Sequence, residues 1–196
     1  MKPSLSAHSN RTANQCLIPG GGSDTGSLYV GKYRKMHPPK SGVDNYVSRG
    51  NLAYPVFDTE WGKFGISICA DEVHPEDYRI MMLSGVEVIA HPTALPLGIE
   101  SSLDYINPTR AIENRIYVVC ANRTGVERGT NYIGSSSIFG VDGKAIARAE
   151  ASEEKMIYAS LDLTRARQKQ VVSRLGKEEG DILGDRRPEY YGKLIE

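Results

Sequence analysis

From residue 54 onward, the apolar and polar residues follow two periods, one typical of strands and one typical of helices. Short apolar runs with period two predict strands, whereas apolar residues three and four apart predict helices. Gly85 follows one helical stretch as a C-terminal cap, and Asn107 before Pro108 is helix-start chemistry for another. The predicted strands are residues 54–57, 63–69, 86–90, 116–121, 135–139, 145–149 and 156–161, and the predicted helices are residues 75–84, 107–115 and 163–174. Strands that alternate with helices indicate an α/β fold.

The two ends of the chain show less pattern than its middle. Residues 1–15 are polar without a period, which predicts little order, and residues 16–35 are compatible with a hairpin broken at Pro19–Gly22. Residues 176–196 predict an extended tail. A chain of 196 residues is large enough for a core of its own, so we predict a single domain over residues 1–196.

Composition and charge argue against several classes of partner. Lysine and arginine total 24, as do aspartate and glutamate, so no net field draws the chain to nucleic acid or to an acidic membrane. No apolar run approaches the length of a membrane span, and the polar N-terminus is no signal peptide. The three cysteines, Cys16, Cys69 and Cys120, lack metal-site spacing and suit a reducing compartment. We therefore expect a cytoplasmic protein that binds neither nucleic acid nor membrane.

One cysteine lies at a position suited to a reactive thiol. Cys69 ends an apolar strand pattern, and Pro75 begins a helical pattern a few residues later with acidic residues in its first turn. A cysteine on a strand-to-helix turn faces backbone N–H groups and the positive end of a helix, and both favour the thiolate. The alternative is a structural cysteine in the core, which is the more common situation for a free cysteine.

Five segments in order resemble the nitrilase, or carbon–nitrogen hydrolase, superfamily. Each motif alone is weak, but their shared order over roughly residues 28–191 makes coincidence a poor explanation, while residues 1–27 match poorly. The segments are Tyr33–His37, Gly65–Asp71 with Pro75–Glu76, Gly85–Ile89 leading to Pro92–Ala94, Arg110–Asn114 with Ala121–Gly125, and Arg186–Pro188 in the tail. The resemblance implies a four-layer α-β-β-α sandwich, incomplete at its N-terminus, that assembles into homodimers or higher homo-oligomers.

The resemblance also assigns roles to individual residues. Cys69 is the nucleophile, Lys35 stabilises the developing oxyanion, and Asp44 stands near a supporting glutamate of the family that would orient the lysine or the substrate amine. The substrate and oxyanion pocket comprises Ala70, through its backbone N–H, together with Asp71, Thr93, Ala94 and Glu113. Glu113 has an alternative role as the partner of a nearby arginine within the helix–strand layer. The resemblance implies no metal and no cofactor.

The general base of the family is the part that this sequence does not match. The family carries a glutamate on a strand ahead of its lysine segment, whereas residues 1–43 contain no glutamate and a single acid, Asp24. We therefore predict an N-terminally truncated member of the family. A general base typically contributes about 10²–10⁴-fold to the rate, so we expect this chain alone to be weak or inactive.

Other residues near the cysteine leave alternatives open. Glu72 could act as a base, although a solvated loop acid is the more common situation. His74 or His91 could take the thiol proton in a Cys–His mechanism, and His74 could instead cap the following helix. A metal held by Asp71, Glu72 and His74 is not favoured, because their spacing matches no common ligand pattern.

The leading hypothesis is a hydrolase that cleaves a non-peptide C–N bond of a small amide, carbamoyl compound or nitrile. The sequence Cys69–Glu72 reads Cys-Ala-Asp-Glu and lacks the Cys-Trp-Glu of true nitrilases, which favours amide or carbamoyl substrates. One alternative is an inactive fragment that acts as an interaction or assembly module. Another is acyl transfer to an amine through the same cysteine.

Overall fold

The computed structural model describes residues 19–20, 28–29, 31–151, 153–172 and 178–196. The strands in these ranges are β1 (Pro19–Gly20), β2 (Leu28–Tyr29), β3 (Phe57–Thr59), β4 (Gly62–Ile66), β5 (Val88–Thr93), β6 (Tyr117–Asn122), β7 (Thr124–Glu127), β8 (Thr130–Ile133), β9 (Ser137–Phe139), β10 (Ala145–Arg148), β11 (Gln170–Val172) and β12 (Glu178–Asp181). The α-helices are α1 (Pro75–Leu83), α2 (Asn107–Asn114) and α3 (Leu163–Arg167). Short 3₁₀ helices cover Gly42–Tyr46, Cys69–Val73, Pro188–Tyr190 and Gly192–Ile195, and one π-helical turn covers Ser102–Ile106.

A six-stranded sheet forms the centre of the molecule, with strand order β10-β9-β6-β5-β4-β3. The three inner strands β4, β5 and β6 are parallel, and β3, β9 and β10 add antiparallel pairs at the two sides. Helix α1 connects β4 to β5, and α2 connects β5 to β6, so both connections are crossovers of the kind that parallel strands require. The α/β prediction is therefore confirmed.

Each face of the sheet carries its own apolar cluster. On β5, Ile89 packs into the cluster under the two helices, whereas its neighbour Val88 packs into the cluster on the opposite face. This alternation follows from the two-residue period of a strand. Helix α1 contributes Tyr78, Met81 and Met82 to the first cluster, as its predicted apolar face requires. Of the four layers that the resemblance implies, the described residues supply this sheet and the helical layer on one side.

The opposite face of the sheet is covered by two segments far apart in the chain. Tyr33, just before the predicted catalytic lysine, is fully buried there, and Ala166 of α3 packs into the same cluster. The remaining buried members of the cluster are Phe57, Phe64, Ile66, Val88, Tyr117 and Val141. Burial of these side chains fixes the lysine-bearing segment against the sheet, because apolar area removed from water stabilises the contact.

Several sequence predictions need correction. Described residues 156–161 form no strand, and the predicted helix at 163–174 ends at Arg167 and is followed by β11. Asn107 is not an N-cap, because its φ of −60° and ψ of −43° are helical and the π-helical turn runs directly into α2. The strands predicted at 54–57 and 63–69 are present but shifted, as β3 begins at Phe57 and β4 ends at Ile66.

One hairpin was not predicted from the sequence. Strands β7 and β8 pair directly, with Glu127 opposite Thr130. The two turn residues, Arg128 and Gly129, have φ values of +49° and +81°. Positive φ at both central positions is the requirement of a type I′ hairpin turn, for which glycine is well suited and arginine is a poor signal.

The ends of the chain show short pairings. Pro19 lies opposite Tyr29 in the antiparallel pair β1–β2, so a pairing is present within the predicted hairpin. However, β1 falls on the predicted break at Pro19–Gly22, and residues 31–35 form no strand. The expectations for residues 1–15 and for a strand at 16–18 fall outside the described residues. Near the C-terminus, β11 pairs with β12 before the two final 3₁₀ helices. Within the described ranges, no helix is both long and apolar enough to cross a membrane.

Candidate active site

Cys69 is the first residue of the 3₁₀ helix that follows β4. Ser67 continues the parallel pairing by donating its backbone N–H to the carbonyl of Ala90 at 3.1 Å, and the chain then turns sharply. Cys69 adopts a φ of +49°, and its side chain is only partly buried. A non-glycine residue in this region costs about 1–3 kcal/mol, and such outliers concentrate at functional sites. The geometry therefore separates Cys69 from Cys120, which is buried and whose pKa burial raises well above the usual value.

Lys35 is a buried lysine with one carboxylate partner. It is only 4% exposed, and its Nζ lies 2.9 Å from Oδ2 of Asp44 in the first short 3₁₀ helix. The backbone N–H of Gly50 donates to the Lys35 carbonyl at 2.7 Å. A buried ammonium needs such a charge partner, because desolvation alone would disfavour the cation.

Asp71 joins the lysine segment to the cysteine turn. It lies two residues after Cys69, and its two carboxylate oxygens accept from the Tyr33 hydroxyl at 2.8 Å and from the His37 backbone N–H at 2.8 Å. Tyr33 and His37 flank Lys35 on either side. Asp71 also accepts from the N–H of Ile68 at 3.0 Å and is fully buried. Both carboxylate oxygens are thus engaged within the protein, and the placement of Asp71 in the substrate pocket stays a prediction.

A second buried carboxylate, that of Asp77, lies beside Asp71. His37 Nδ1 lies 3.2 Å from Oδ1 of Asp71 and 3.1 Å from Oδ2 of Asp77. Asp77 also accepts from the Tyr54 hydroxyl at 2.5 Å. Burial raises the pKa of Asp77, the charge of Asp71 adds to that rise, and the bonds from Tyr54 and His37 oppose it.

These groups bear on two questions raised by the sequence. His74 occupies the N-cap position of α1, as predicted, but within the described residues its side chain makes no capping bond, and its ring stacks on that of His37 at 3.7 Å between centroids. The ligand atoms of His37, Asp71 and Asp77 all lie within 4.8 Å of one another, which is close enough for one cation. In this structure the same atoms satisfy one another by hydrogen bonds and ion pairs.

Glu72 is held on the other side of the cysteine turn. The interpretation as a solvated loop acid is wrong, because Glu72 is 3% exposed and accepts from Ser102 Oγ and from Asn107 Nδ2, the latter at 2.6 Å. His91 Nε2 lies 2.9 Å from the same carboxylate. Burial by itself would raise the pKa of Glu72, but the bonds and charge of His91 and the neighbouring donors hold that pKa below its usual value.

The remaining predicted pocket residues differ in their surroundings. Thr93 at the end of β5 is buried, and its Oγ1 has no hydrogen-bond partner among the residues that the structure describes, whereas Ala94 is exposed. Glu113 accepts from Arg110 Nη1 at 3.0 Å, which matches its alternative role as the partner of an arginine. Arg110 in turn donates through Nε to the backbone carbonyl of Glu72 at 3.0 Å, so Glu113 reaches the cysteine turn only through this arginine.

Sequence reasoning missed four residues that hold the site or a neighbouring loop. Asn107 carried a signal, but the signal indicated a helix cap. Tyr54 and Ser102 stand in segments without a diagnostic motif, and Asn122 falls inside a matched segment without a role of its own. Asn122 accepts from the N–H of Leu95 at 3.0 Å and so shapes the loop after β5. Pairings of this kind depend on elements far apart in sequence, so no local pattern reveals them.

Comparisons with known proteins agree with this geometry. A nitrilase of Pyrococcus abyssi is 37% identical over 163 residues, covering 83% of this chain and 59% of that protein. A citrullinase of Francisella tularensis is 32% identical over 201 residues, covering 94% of this chain and 67% of that protein. The crystal structure of a carbon–nitrogen hydrolase from Helicobacter pylori G27 has a TM-score of 0.78 at 25% identity, covering 98% of this chain and 70% of that chain.

The chain thus spans about three fifths to two thirds of the length of the curated relatives that it matches. The family model for carbon–nitrogen hydrolases matches residues 12–170, which include the lysine segment, the cysteine turn and the three parallel strands that carry the site. Because sequence, fold and the order of the site segments agree, the chain belongs to the carbon–nitrogen hydrolase family.

Proposed function

We propose that this protein hydrolyses the C–N bond of a small amide or carbamoyl compound, with Cys69 as nucleophile. The observation that carries the proposal is the pair of hydrogen bonds that Asp71 accepts from Tyr33 and His37. These bonds connect the segment of the buried Lys35 to the turn of the partly exposed, strained Cys69. Membership in the carbon–nitrogen hydrolase family supports the reaction class, and the similarity to a citrullinase supports carbamoyl compounds among the substrates.

In the first step, the Cys69 thiolate attacks the carbonyl carbon and forms a C–S bond. The carbonyl electron pair moves to oxygen, where the ammonium of Lys35 and the backbone N–H of Ala70 stabilise the oxyanion. The oxyanion then collapses, the C–N bond breaks, and the nitrogen takes a proton and leaves as ammonia or an amine. In the second step, water attacks the thioester, which releases the acid and restores the thiolate.

Two further residues support the placement of the reacting groups. We propose that Asp44 directs Lys35, since its carboxylate lies 2.9 Å from the buried lysine nitrogen. Oγ1 of Thr93, which has no partner within the described part of the chain, is a suitable donor or acceptor for a polar substrate group, because a buried hydroxyl without a partner gains by finding one. Ala94 would then line the exposed rim beside it.

The supply of a general base bears on the expected rate. No glutamate precedes Lys35 in these 196 residues, and Glu72 is already held by three partners. We therefore propose that the chain by itself forms the thioester slowly and turns over weakly. A general base typically contributes about 10²–10⁴-fold, so an added glutamate-bearing segment of a full-length relative should raise turnover by a factor in that range.

The test uses ammonia release and intact-mass measurement with propionamide and citrulline. We expect an acyl or carbamoyl adduct on the wild-type chain, mapped to Cys69, and no adduct on Cys69→Ala. Lys35→Gln should bind but acylate at least about tenfold more slowly, because it removes the oxyanion cation. An adduct that persists in Cys69→Ala would refute the nucleophile, and a wild-type chain without adduct or ammonia would favour the interaction-module alternative. Hydroxamate formed with hydroxylamine in place of the free acid, at amine concentrations where a hydrolase would still release acid, would favour acyl transfer.

We also propose a cytoplasmic homo-oligomer. Ile80 and Leu83 are exposed, and their spacing of three places them on one side of α1, while Val73, in the preceding 3₁₀ helix, is also exposed. Apolar stripes of this kind mark association surfaces when they are contiguous, and the resemblance to the family supports pairing across a helical face. Among the described cysteines, Cys69 and Cys120 are both free thiols, which supports a reducing compartment.

A further inference from the structure

We propose that His91 is a positioning residue that holds the cysteine turn from both sides. This inference deepens the proposed function, since it concerns how the same nucleophile is kept in place. One ring nitrogen, Nδ1, lies 3.1 Å from Oγ of Ser67, and the other, Nε2, lies 2.9 Å from Oε2 of Glu72. Ser67 stands two residues before Cys69 and Glu72 three residues after it, so one imidazole spans the turn.

The support for the turn comes from a rigid part of the fold. His91 is fully buried within β5, the strand between β4 and β6 in the parallel centre of the sheet. Its Nδ1 also lies 3.3 Å from the hydroxyl of Tyr78 on α1. A side chain enclosed in this way loses little further freedom when it holds a neighbour, which is how rigid elements keep a reactive group in position.

Glu72, the second contact of His91, is itself held by residues that follow β5. Ser102 and Asn107, which belong to the helical segment between β5 and β6, donate to its carboxylate, and Arg110 donates to its backbone carbonyl. The contact between His91 and Glu72 has ion-pair distance without the geometry of a linear hydrogen bond. The carboxylate is therefore held by Ser102 and Asn107 with the His91 ring nitrogen 2.9 Å away.

The turn needs this support because its backbone is strained. Cys69 has a φ of +49°, and a non-glycine residue keeps such a conformation only where its surroundings impose it. Ser67 and Glu72 are the attachment points on either side, and both lead to His91. Without the imidazole, the turn should relax toward ordinary φ values, and the thiol should move from its present position, which should change its reactivity.

The experiment measures alkylation of Cys69 by iodoacetamide as a function of pH, with peptide mapping to separate it from Cys16 and Cys120. We expect His91→Leu to slow alkylation at neutral pH about tenfold and to move the midpoint of the profile upward by about one pH unit. His91→Gln keeps one amide donor within reach of Glu72 and should recover part of the rate. Ile89→Val, in the same strand and equally buried, is the matched control and should keep the wild-type profile.

Each outcome bears on the inference. A His91→Leu profile that coincides with wild type, or an Ile89→Val profile that moves as far, would overturn it. If His91→Leu does not fold, Ser67→Ala removes a single attachment and should still raise the midpoint. Because alkylation uses no substrate, a His91-dependent profile in a chain that forms no adduct with amides or citrulline would refute the proposed function and leave the positioning role in place. An amide-derived adduct on Cys69 with a His91-independent profile would do the reverse.

Discussion

At the scale of single residues, the site combines one strained backbone position with buried charges that have defined partners. Cys69 adopts a positive φ although it is not glycine, and Lys35 is buried against Asp44. Both features oppose stability unless the surrounding structure offsets them. Residues held in this way are typical of sites where reactivity is selected over stability.

The strain at Cys69 predicts an unusual response to glycine. Cys69→Gly should be more stable than Cys69→Ala by about 1 kcal/mol, because glycine adopts positive φ without a steric penalty. For a chain of this size, that difference corresponds to a rise in melting temperature of roughly 2–4 °C. Thermal unfolding followed by circular dichroism provides the measurement.

The control for that comparison is Ser84, which has a φ of −80°. Here alanine should be the more stable replacement, since glycine gains nothing from its conformational freedom at negative φ and loses more entropy on folding. Equal stability of the glycine and alanine variants at residue 69 would contradict the strain.

At the scale of elements, the lysine segment is fixed by neighbours rather than by secondary structure of its own. Described residues 31–41 contain no helix or strand, yet Tyr33 is buried in the sheet and Lys35 is bonded through both its side chain and its carbonyl. Gly50 is the residue that approaches this backbone most closely. A Cβ at Gly50 would lie 2.2 Å from the carbonyl oxygen of Arg34 and 2.9 Å from that of Lys35.

Gly50→Ala should therefore displace the Lys35 segment. We expect a lower rate of Cys69 acylation by amides, by about tenfold or more, because small misplacements of a catalytic group can cost up to about 10²-fold. Alkylation by iodoacetamide should change little, since it does not need the lysine. Intact-mass kinetics of the two reactions, run in parallel, provide the measurement.

Gly192→Ala serves as the matched control, because a Cβ there meets nothing within 4 Å. It should acylate at the wild-type rate. A Gly50→Ala chain that acylates like wild type would show that the lysine segment tolerates the displacement or does not contribute.

At the scale of the whole molecule, one sheet separates two cores that serve different purposes. The face under α1 and α2 carries the larger apolar cluster, and the opposite face anchors Tyr33 and α3. The site lies where the parallel strands end, and β4 and β5 each lead into one part of it. Ligand sites in α/β sheets commonly occupy the carboxyl ends of the strands.

The exposed stripe on α1 predicts the state of association. Ile80→Glu should shift the protein toward the monomer, because a charge at the centre of an apolar contact must be desolvated on assembly. Sedimentation velocity over a range of concentrations provides the measurement. Glu76→Gln, an exposed change in the first turn of the same helix, should sediment like wild type. A monomeric wild-type chain would refute the proposed oligomer.

The sequence by itself determined the α/β order, the apolar face of α1 and the turn at Cys69, whereas the Lys35 segment was identified only from the family resemblance. The first three features depend on periodicity, on glycine and proline positions and on short motifs, all of which act over a few residues. It could not determine the partners of buried polar groups. Glu72 resembled a loop acid and Asn107 a helix cap, whereas the fold brings them together across 35 residues of sequence.

Only the tertiary structure decided that Asp71 joins two segments and that His91 contacts both sides of the cysteine turn. It also decided that the apolar stretch at 156–161 forms no strand, and Met156 and Tyr158 in it are mostly exposed. The physical reason for the two sets of polar contacts is the same. A buried polar group must be paired, and its partner is whichever group the packing of distant elements brings within about 3 Å.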